Sequence, residues 1–268
     1  MGLINYHTHT PLCGHATGTT EDYIRAAIEK KFSELGFSDH APLPDEIRGG
    51  VTMAQEDLEI YLEDVRRFRD AYREKIAVKI GLEVDFPLRD SFNKKYFNDP
   101  RIDFLMGSCH FIGSWPFDQE PYKDEFSHRD IDEAYSSYYS IVESLVDSSL
   151  FDIIGHFDLI KKFGYRPRRN FTPGIEKIAK KMSRAGLAAE INTSGLLKPV
   201  AEIYPSDEII RIFFQNNVPV TIGSDCHNPE TIDYMLAHAL DKLKEAGYKK
   251  ISGFSKRKRY DIDIQQIS

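Results

Sequence analysis

Two short motifs far apart in the chain share one spacing, His7-Thr8-His9 and Asp225-Cys226-His227. In an extended strand alternate side chains point to one face, so both outer residues of each triplet address the same point. Neutral imidazoles and ionised carboxylates are the ligands of zinc-like ions, at about 2.0–2.2 Å from the metal. Four further positions carry such groups at or just past apolar runs. They are His40 after Phe37-Ser38-Asp39, Glu83 in Gly81-Leu82-Glu83-Val84-Asp85, His110 after Gly107-Ser108-Cys109, and His156 in Gly155-His156-Phe157-Asp158. His15 follows Pro11-Leu12-Cys13-Gly14, a turn-forming segment that can fold the chain back after His9. Seven of the nine histidines are thus placed where one site can gather them, and the chemistry this predicts is metal-assisted hydrolysis.

Other chemistries fit less well. Cys13, Cys109 and Cys226 lie beside histidine candidates, but strand alternation turns Cys226 and Cys109 away from the face that Asp225, His227 and His110 share; only Cys13, in the loop, escapes that argument. A serine nucleophile is disfavoured, because no Gly-x-Ser-x-Gly occurs and a triad needs one histidine. His128 in a polar loop and His238 inside a helical stretch read as ordinary surface residues.

The elements that must hold these residues alternate. Short apolar runs at Leu3–Tyr6, Glu34–Ser38, Val78–Val84, Phe104–Ser108, Ile153–Gly155, Ala188–Ile191 and Val220–Gly223 read as strands. Amphipathic stretches at Glu21–Lys31, Met53–Glu74, Ile131–Ser148, Pro173–Ala185, Ser206–Asn216 and Pro229–Ala246 read as helices. Thr20 before Glu21-Asp22, and Pro173 and Pro229 in first turns, mark helix starts, while Gly186 and Gly247 mark stops. Phe86–Arg101 is only weakly helical, and Lys249–Ile264 reads as a terminal hairpin around Ser255–Arg259. Such alternation predicts an α/β parallel sheet, closed as a barrel or open and doubly wound. The polar candidates sit at the C-terminal ends of nearly all strands and no Gly-x-Gly-x-x-Gly follows any of them, which favours an irregular barrel of seven units in a single domain over 1–268.

Composition bounds the rest. The 268 residues, 41% hydrophobic, support a sizeable core, and no apolar run reaches the roughly 18 residues that cross a bilayer. The N-terminus has no basic region or cleavage site, and three cysteines form no disulfide framework, so a cytoplasmic location is expected. A net charge of -7 gives no general attraction to nucleic acid or to an anionic membrane, and neither is expected as a partner. The basic run Lys256–Arg259 reads as a solvated strand or turn. The oligomeric state is left open.

In this order, His7-x-His9, His15, His40, Glu83, His110, His156 and Asp225-x-His227 resemble the motifs of the PHP (polymerase and histidinol phosphatase) superfamily. Leu35-Gly36-Phe37-Ser38-Asp39-His40, Gly155-His156-Phe157-Asp158 and Glu190-Ile191-Asn192-Thr193-Ser194-Gly195 are similar to its histidinol-phosphate phosphatase branch. The resemblance implies a distorted seven-unit (β/α) barrel, three divalent metal ions (zinc, iron or manganese), and hydrolysis of L-histidinol phosphate to L-histidinol and phosphate in histidine biosynthesis. It also implies a division of ligands: His7, His9, Glu83 and Asp225 on one ion, Glu83, His110 and His156 on a second, and His15, His40 and His227 on a third. Glu83 would bridge, and Asp225 would double as acid or base. The branch has a basic residue after its glycine-leucine pair, where this chain has Leu197 before Lys198, and another after Gly-His-x-Asp, where it has Lys161. The phosphate clamp therefore stays open among Lys161, Arg166, Arg168 and Lys198. Three divalent ions against two ligand carboxylates leave a positive excess that a phosphomonoester dianion would balance and a neutral amide would not. The competing readings are a phosphoesterase with another small substrate and a metal-binding module without catalysis; an acidic chain disfavours a nuclease.

Overall fold

The computed structural model describes residues 2–88 and 94–267. Seven strands form one parallel sheet in chain order: β1 (Ile4–Asn5), β2 (Glu34–Phe37), β3 (Ala77–Asp85), β4 (Phe104–Ser108), β5 (Ile153–Ile154), β6 (Ala188–Asn192) and β7 (Val220–Gly223). The sheet closes on itself across a seam between β1 and β7. There the Tyr6 amide donates to the Ile222 carbonyl at 3.0 Å and the His9 amide to the Cys226 carbonyl at 3.2 Å. Strands β2, β4, β6 and β7 are buried along their whole length, as expected where a parallel sheet has side chains on one face and helices on the other. That double burial is why they read as continuous apolar runs.

The helices are α1 (Thr20–Glu29), α2 (Asp45–Arg48), α3 (Asp57–Tyr72), α4 (Ile131–Ser148), α5 (Thr172–Ala185), α6 (Asp207–Gln215) and α7 (Leu236–Ala246). Consecutive helices α4 to α7 pack on one another, and α3 lies on β3. Local chemistry sets their ends. Thr19, one residue before the expected cap, forms a reciprocal capping box with Asp22, and Asp130 accepts the Asp132 and Glu133 amides at the start of α4. Gly186 closes α5 in the left-handed conformation.

Two expected helices are shorter than their sequence pattern. The stretch from Met53 becomes helical only at Asp57, because Met53 and Ala54 are buried as loop residues in the core. The stretch from Pro229 is a single 3-10 turn, Pro229–Thr231, and α7 starts at Leu236 after a left-handed Met235. Tertiary donors take the carbonyls a continuous helix would use: Asn5 Nδ2 bonds Ile232 O at 2.8 Å and Thr193 Oγ1 bonds Tyr234 O at 2.7 Å. In the weakly helical segment Phe86–Arg101, Lys94–Asn98 is a 3-10 helix and residues 89–93 lie outside the described residues.

The terminal hairpin pairs β8 (Lys250–Ser255) with β9 (Lys258–Asp263) and floors the barrel at the N-terminal ends of the strands. Tyr6 and Tyr260 hydroxyls both donate to Glu34 Oε2, at 2.6 and 2.7 Å, while the Phe254 amide donates to Tyr6 Oη. At the hairpin turn Arg257 donates to Leu150 O at 2.7 Å and Phe97 O at 2.9 Å and pairs with Asp152. Arg257 is therefore an anchor, not the solvated charge its basic run suggests. Inside the floor the Phe104 ring lies 5.1 Å from Tyr6, and a Cβ on Gly81 would come within 2.4 Å of it. Burying that ring contributes on the order of 1.5–3 kcal/mol, and a glycine on β3 makes the space.

Candidate metal centre

With the floor filled, the opposite end of the barrel is left for polar groups, and the strands deliver them there. His7 and His9 follow β1, His40 follows β2, Glu83 lies on β3, and His110 and His156 follow β4 and β5. Asp225 and His227 follow β7, and the 3-10 turn Pro11–Cys13, ended by left-handed Gly14, swings His15 back over them. Glu83, only 2% exposed, is the hub. Its Oε1 lies 2.8 Å from His156 Nε2 and 3.5 Å from His110 Nε2, and its Oε2 lies 2.9 Å from His40 Nδ1 and 3.3 Å from His7 Nε2. Asp225 Oδ1 is 3.0 Å from His9 Nε2 and 3.5 Å from His7 Nε2. The His15 ring stands 4.4 Å from His227 and 5.6 Å from His40.

Four histidine and carboxylate triplets bring their ligand atoms within 4.8 Å of one another: His7, His9 and Asp225; Glu83, His110 and His156; His15, His40 and His227; and His9, His40 and Glu83, which links the other three. Cys13 also comes within that distance of His9 and His227. Burial and the nearby Asp39 push its thiol up to about 12, and burial pushes Cys226 to about 12. Cys109 is likewise raised by burial.

The donor set suits divalent ions. His7 Nε2 and His227 Nε2 are buried without a hydrogen-bond partner among the described residues. Native interiors rarely strand such atoms, and both belong to ligand groups of this cluster. Imidazole and carboxylate donors accept zinc, iron or manganese. Without metal, protons must serve. Burial pulls His9 and His110 down, but neighbouring carboxylates outweigh it and raise them to about 9 and about 10. For Glu83 and Asp225 burial pushes up, yet the surrounding imidazoles hold both well below the usual carboxylate range. His227, buried among other imidazoles, falls to about 2.

Behind the imidazoles stands a layer that strand-end reasoning missed. Glu190 Oε1 takes His7 Nδ1 at 2.6 Å, Asp85 Oδ1 takes His110 Nδ1 at 2.9 Å, and Asp39 Oδ1 lies 3.4 Å from His9 Nδ1. Carboxylates in that position fix which ring nitrogen carries the proton and leave the other free for a metal. Glu190 is fully buried and also accepts the His156 amide at 2.8 Å through Oε2, tying β1, β5 and β6 together. A Cβ on Gly223 would fall 2.2 Å from Glu190 Oε1 and 2.6 Å from His7 Cβ, so β7 needs glycine at that point. The signal was present: Asp85 stands two residues after Glu83 on β3, in phase with it. Asp225 itself has φ of 52°, a left-handed conformation aspartate tolerates, and its Oδ2 accepts Ser194 Oγ at 3.2 Å.

Beside the cluster opens a cavity of about 630 Å³ lined by His15, His40, Glu83, His110, His156, Asp225, His227, Lys162 and Lys198. Three of the four expected phosphate clamps are turned away from it. Lys161 is 1% exposed, with Nζ 2.8 Å from Asp158 Oδ2 and from Ile203 O. Arg166 pairs with Glu202, and Arg168 with Asp130 at 2.7 Å. The reason is the 3-10 turn Leu159–Lys161, which sends Lys161 inward and its neighbour Lys162 to the cavity. Lys198 remains, and Lys162, in the same Lys-Lys pair, joins it. His128 and His238 do not line this cavity.

Residues 5–194 match the family model described as the PHP domain. A Deinococcus radiodurans protein named "Probable histidinol-phosphatase" is 36% identical over 94% of this chain and 96% of its own. The histidinol-phosphatase of Bacillus subtilis is 28% identical over 88% of this chain and 97% of its own. Among solved structures, the histidinol phosphate phosphatase of Lactococcus lactis, in complex with zinc, L-histidinol and phosphate, superposes with a TM-score of 0.80 at 21% identity. That superposition covers 96% of this chain and 98% of the other.

Proposed function

The chain belongs to the PHP domain family, and from that premise we propose that it is a metal-dependent phosphomonoesterase hydrolysing L-histidinol phosphate to L-histidinol and phosphate in histidine biosynthesis. The observation that carries this reading is the hub: one buried carboxylate, Glu83, with imidazoles on both oxygens, at the head of a cavity that also holds two lysines. We assign three divalent ions to it. His7, His9 and Asp225 hold one with Glu83, Glu83, His110 and His156 a second, and His15, His40 and His227 a third. Glu190, Asp39 and Asp85 behind the imidazoles bring the carboxylates to five, so the excess expected from two carboxylates shrinks to about one charge, and the phosphate relies on direct contact with the ions and on the lysines of the cavity. All three cysteines are free, as a reducing compartment favours, which supports a cytoplasmic enzyme.

Ions held there would supply Lewis acidity and a water ionised near neutral pH. The chain's own groups do the rest. Lys162 and Lys198 draw the phosphate into the cavity and screen its charge. Asp225, kept as a carboxylate and oriented by Ser194, takes the proton of the attacking water and returns it to the leaving oxygen. The Asp225 side chain is partly open to the cavity, which gives that proton a path.

Purified protein assayed against histidinol phosphate and a panel of other phosphomonoesters, with metal analysis of the same sample, tests the reading. Histidinol phosphate should be the preferred substrate, a chelator should abolish phosphate release, and divalent metal should restore it. Full turnover by verified metal-free protein, or equal turnover of every phosphomonoester, would end the proposal.

A further inference from the structure

The cavity beside the cluster contains an ion pair of its own. Lys162 Nζ lies 3.2 Å from Asp118 Oδ2, with the two side chains 18% and 16% exposed, and both line the cavity next to His110 and His156. Among the described residues Asp118 has no other hydrogen-bond donor. It shares the cavity with the carboxylates Glu83 and Asp85 and with the imidazoles of His110 and His156. A phosphate dianion entering the cavity competes for Lys162. Its success strips a nearly buried carboxylate of its one hydrogen-bond donor among the described residues and leaves only the more distant imidazoles of His110 and His156 to offset its charge, and weakening the compensation of a charge in such a place is costly. A substrate that carries its own cation removes the cost, because the two pairs simply exchange.

Resting on the phosphomonoesterase reading, we propose that Asp118 receives the primary ammonium of an aminoalcohol phosphate while Lys162 turns to its phosphate. L-histidinol phosphate is a substrate of this class. Asp118 then selects by two means at once, attraction for the ammonium and a penalty on any phosphomonoester that lacks one. A neutral alcohol phosphate takes Lys162 and leaves Asp118 unpaired.

The test compares histidinol phosphate with its deamino analogue, identical but for the missing amine, in the metal-loaded wild type, Asp118→Asn and Asp118→Glu. The wild type should prefer histidinol phosphate. Asp118→Asn should raise its KM about tenfold to a hundredfold, the worth of a charged hydrogen bond, and should lower the KM of the analogue, because the unpaired charge is gone. Asp118→Glu, which keeps the charge, should keep the preference. Damage to the fold moves both substrates the same way, so opposite shifts identify the exchange. Equal losses on both substrates, or a wild type indifferent to the amine, would overturn the assignment. A wild type that releases phosphate from neither overturns the phosphomonoesterase reading and the Asp118 assignment with it.

Discussion

Replacing Glu190 by glutamine removes one charge from a fully buried position and should disable metal binding from behind. A carboxylate only accepts, so its 2.6 Å contact places the proton of His7 on Nδ1 and leaves Nε2 with its lone pair toward the cluster. Glutamine has one acceptor and one donor end. Its oxygen is claimed by the His156 amide, which bonds Oε2 at 2.8 Å, with Asn192 Nδ2 at 3.1 Å. The amide nitrogen then faces His7 Nδ1, and His7 must shift its proton to Nε2, where it blocks the metal. A hydrogen bond to a charged group contributes about 1.5–3 kcal/mol, which corresponds to about tenfold to a hundredfold in metal affinity at the His7 site. Competition between apo protein and a zinc chelator measures that affinity, and thermal melting of the metal-free variant confirms that it still folds. A folded Glu190→Gln protein that binds every ion as tightly as wild type would refute the tautomer argument.

His15→Ala should weaken one ion and spare two, since the rings His15 approaches among the described histidines are His227, His40 and, at 6.5 Å, His9; unchanged stoichiometry with unchanged hydrolysis would remove it from the site. In metal-free protein, His9 and His110 are raised to about 9 and about 10 from an ordinary value of 6.5. Their protonation stabilises the fold fully below about pH 6.5, and that stability is lost as pH rises through 9 to 10. The melting temperature of apo protein should fall across that window, and a flat profile between pH 7 and 11 would contradict the sign.

Strand ends were legible because a parallel barrel buries both faces of its strands, and apolar runs such as Phe104–Ser108 and Val220–Gly223 begin and end where the sheet does. The histidines stood out for the same reason, as polar groups directly after runs of core residues. What stayed hidden depended on tertiary partners. Nothing local says that Asn5 and Thr193 will take the carbonyls of Ile232 and Tyr234 and delay α7. Nor does the pair Lys161-Lys162 reveal which lysine faces inward, since a single 3-10 turn decides it. Glu190 was visible only as part of a motif; its partner His7 lies 183 positions away.

The seam between β1 and β7 sets an order of events during synthesis. His9 and Asp225, 216 positions apart, meet only after nearly the whole barrel has been made, and closing so long a loop carries one of the largest entropic costs among the contacts of the site. A growing chain thus carries His7 and His9 long before Asp225 exists to complete their site, whereas Glu83, His110 and His156 are all present once residue 156 is made. Only the ligand groups that include Asp225 or His227 wait for the barrel to close, so the site has an early-made half and a late-made half.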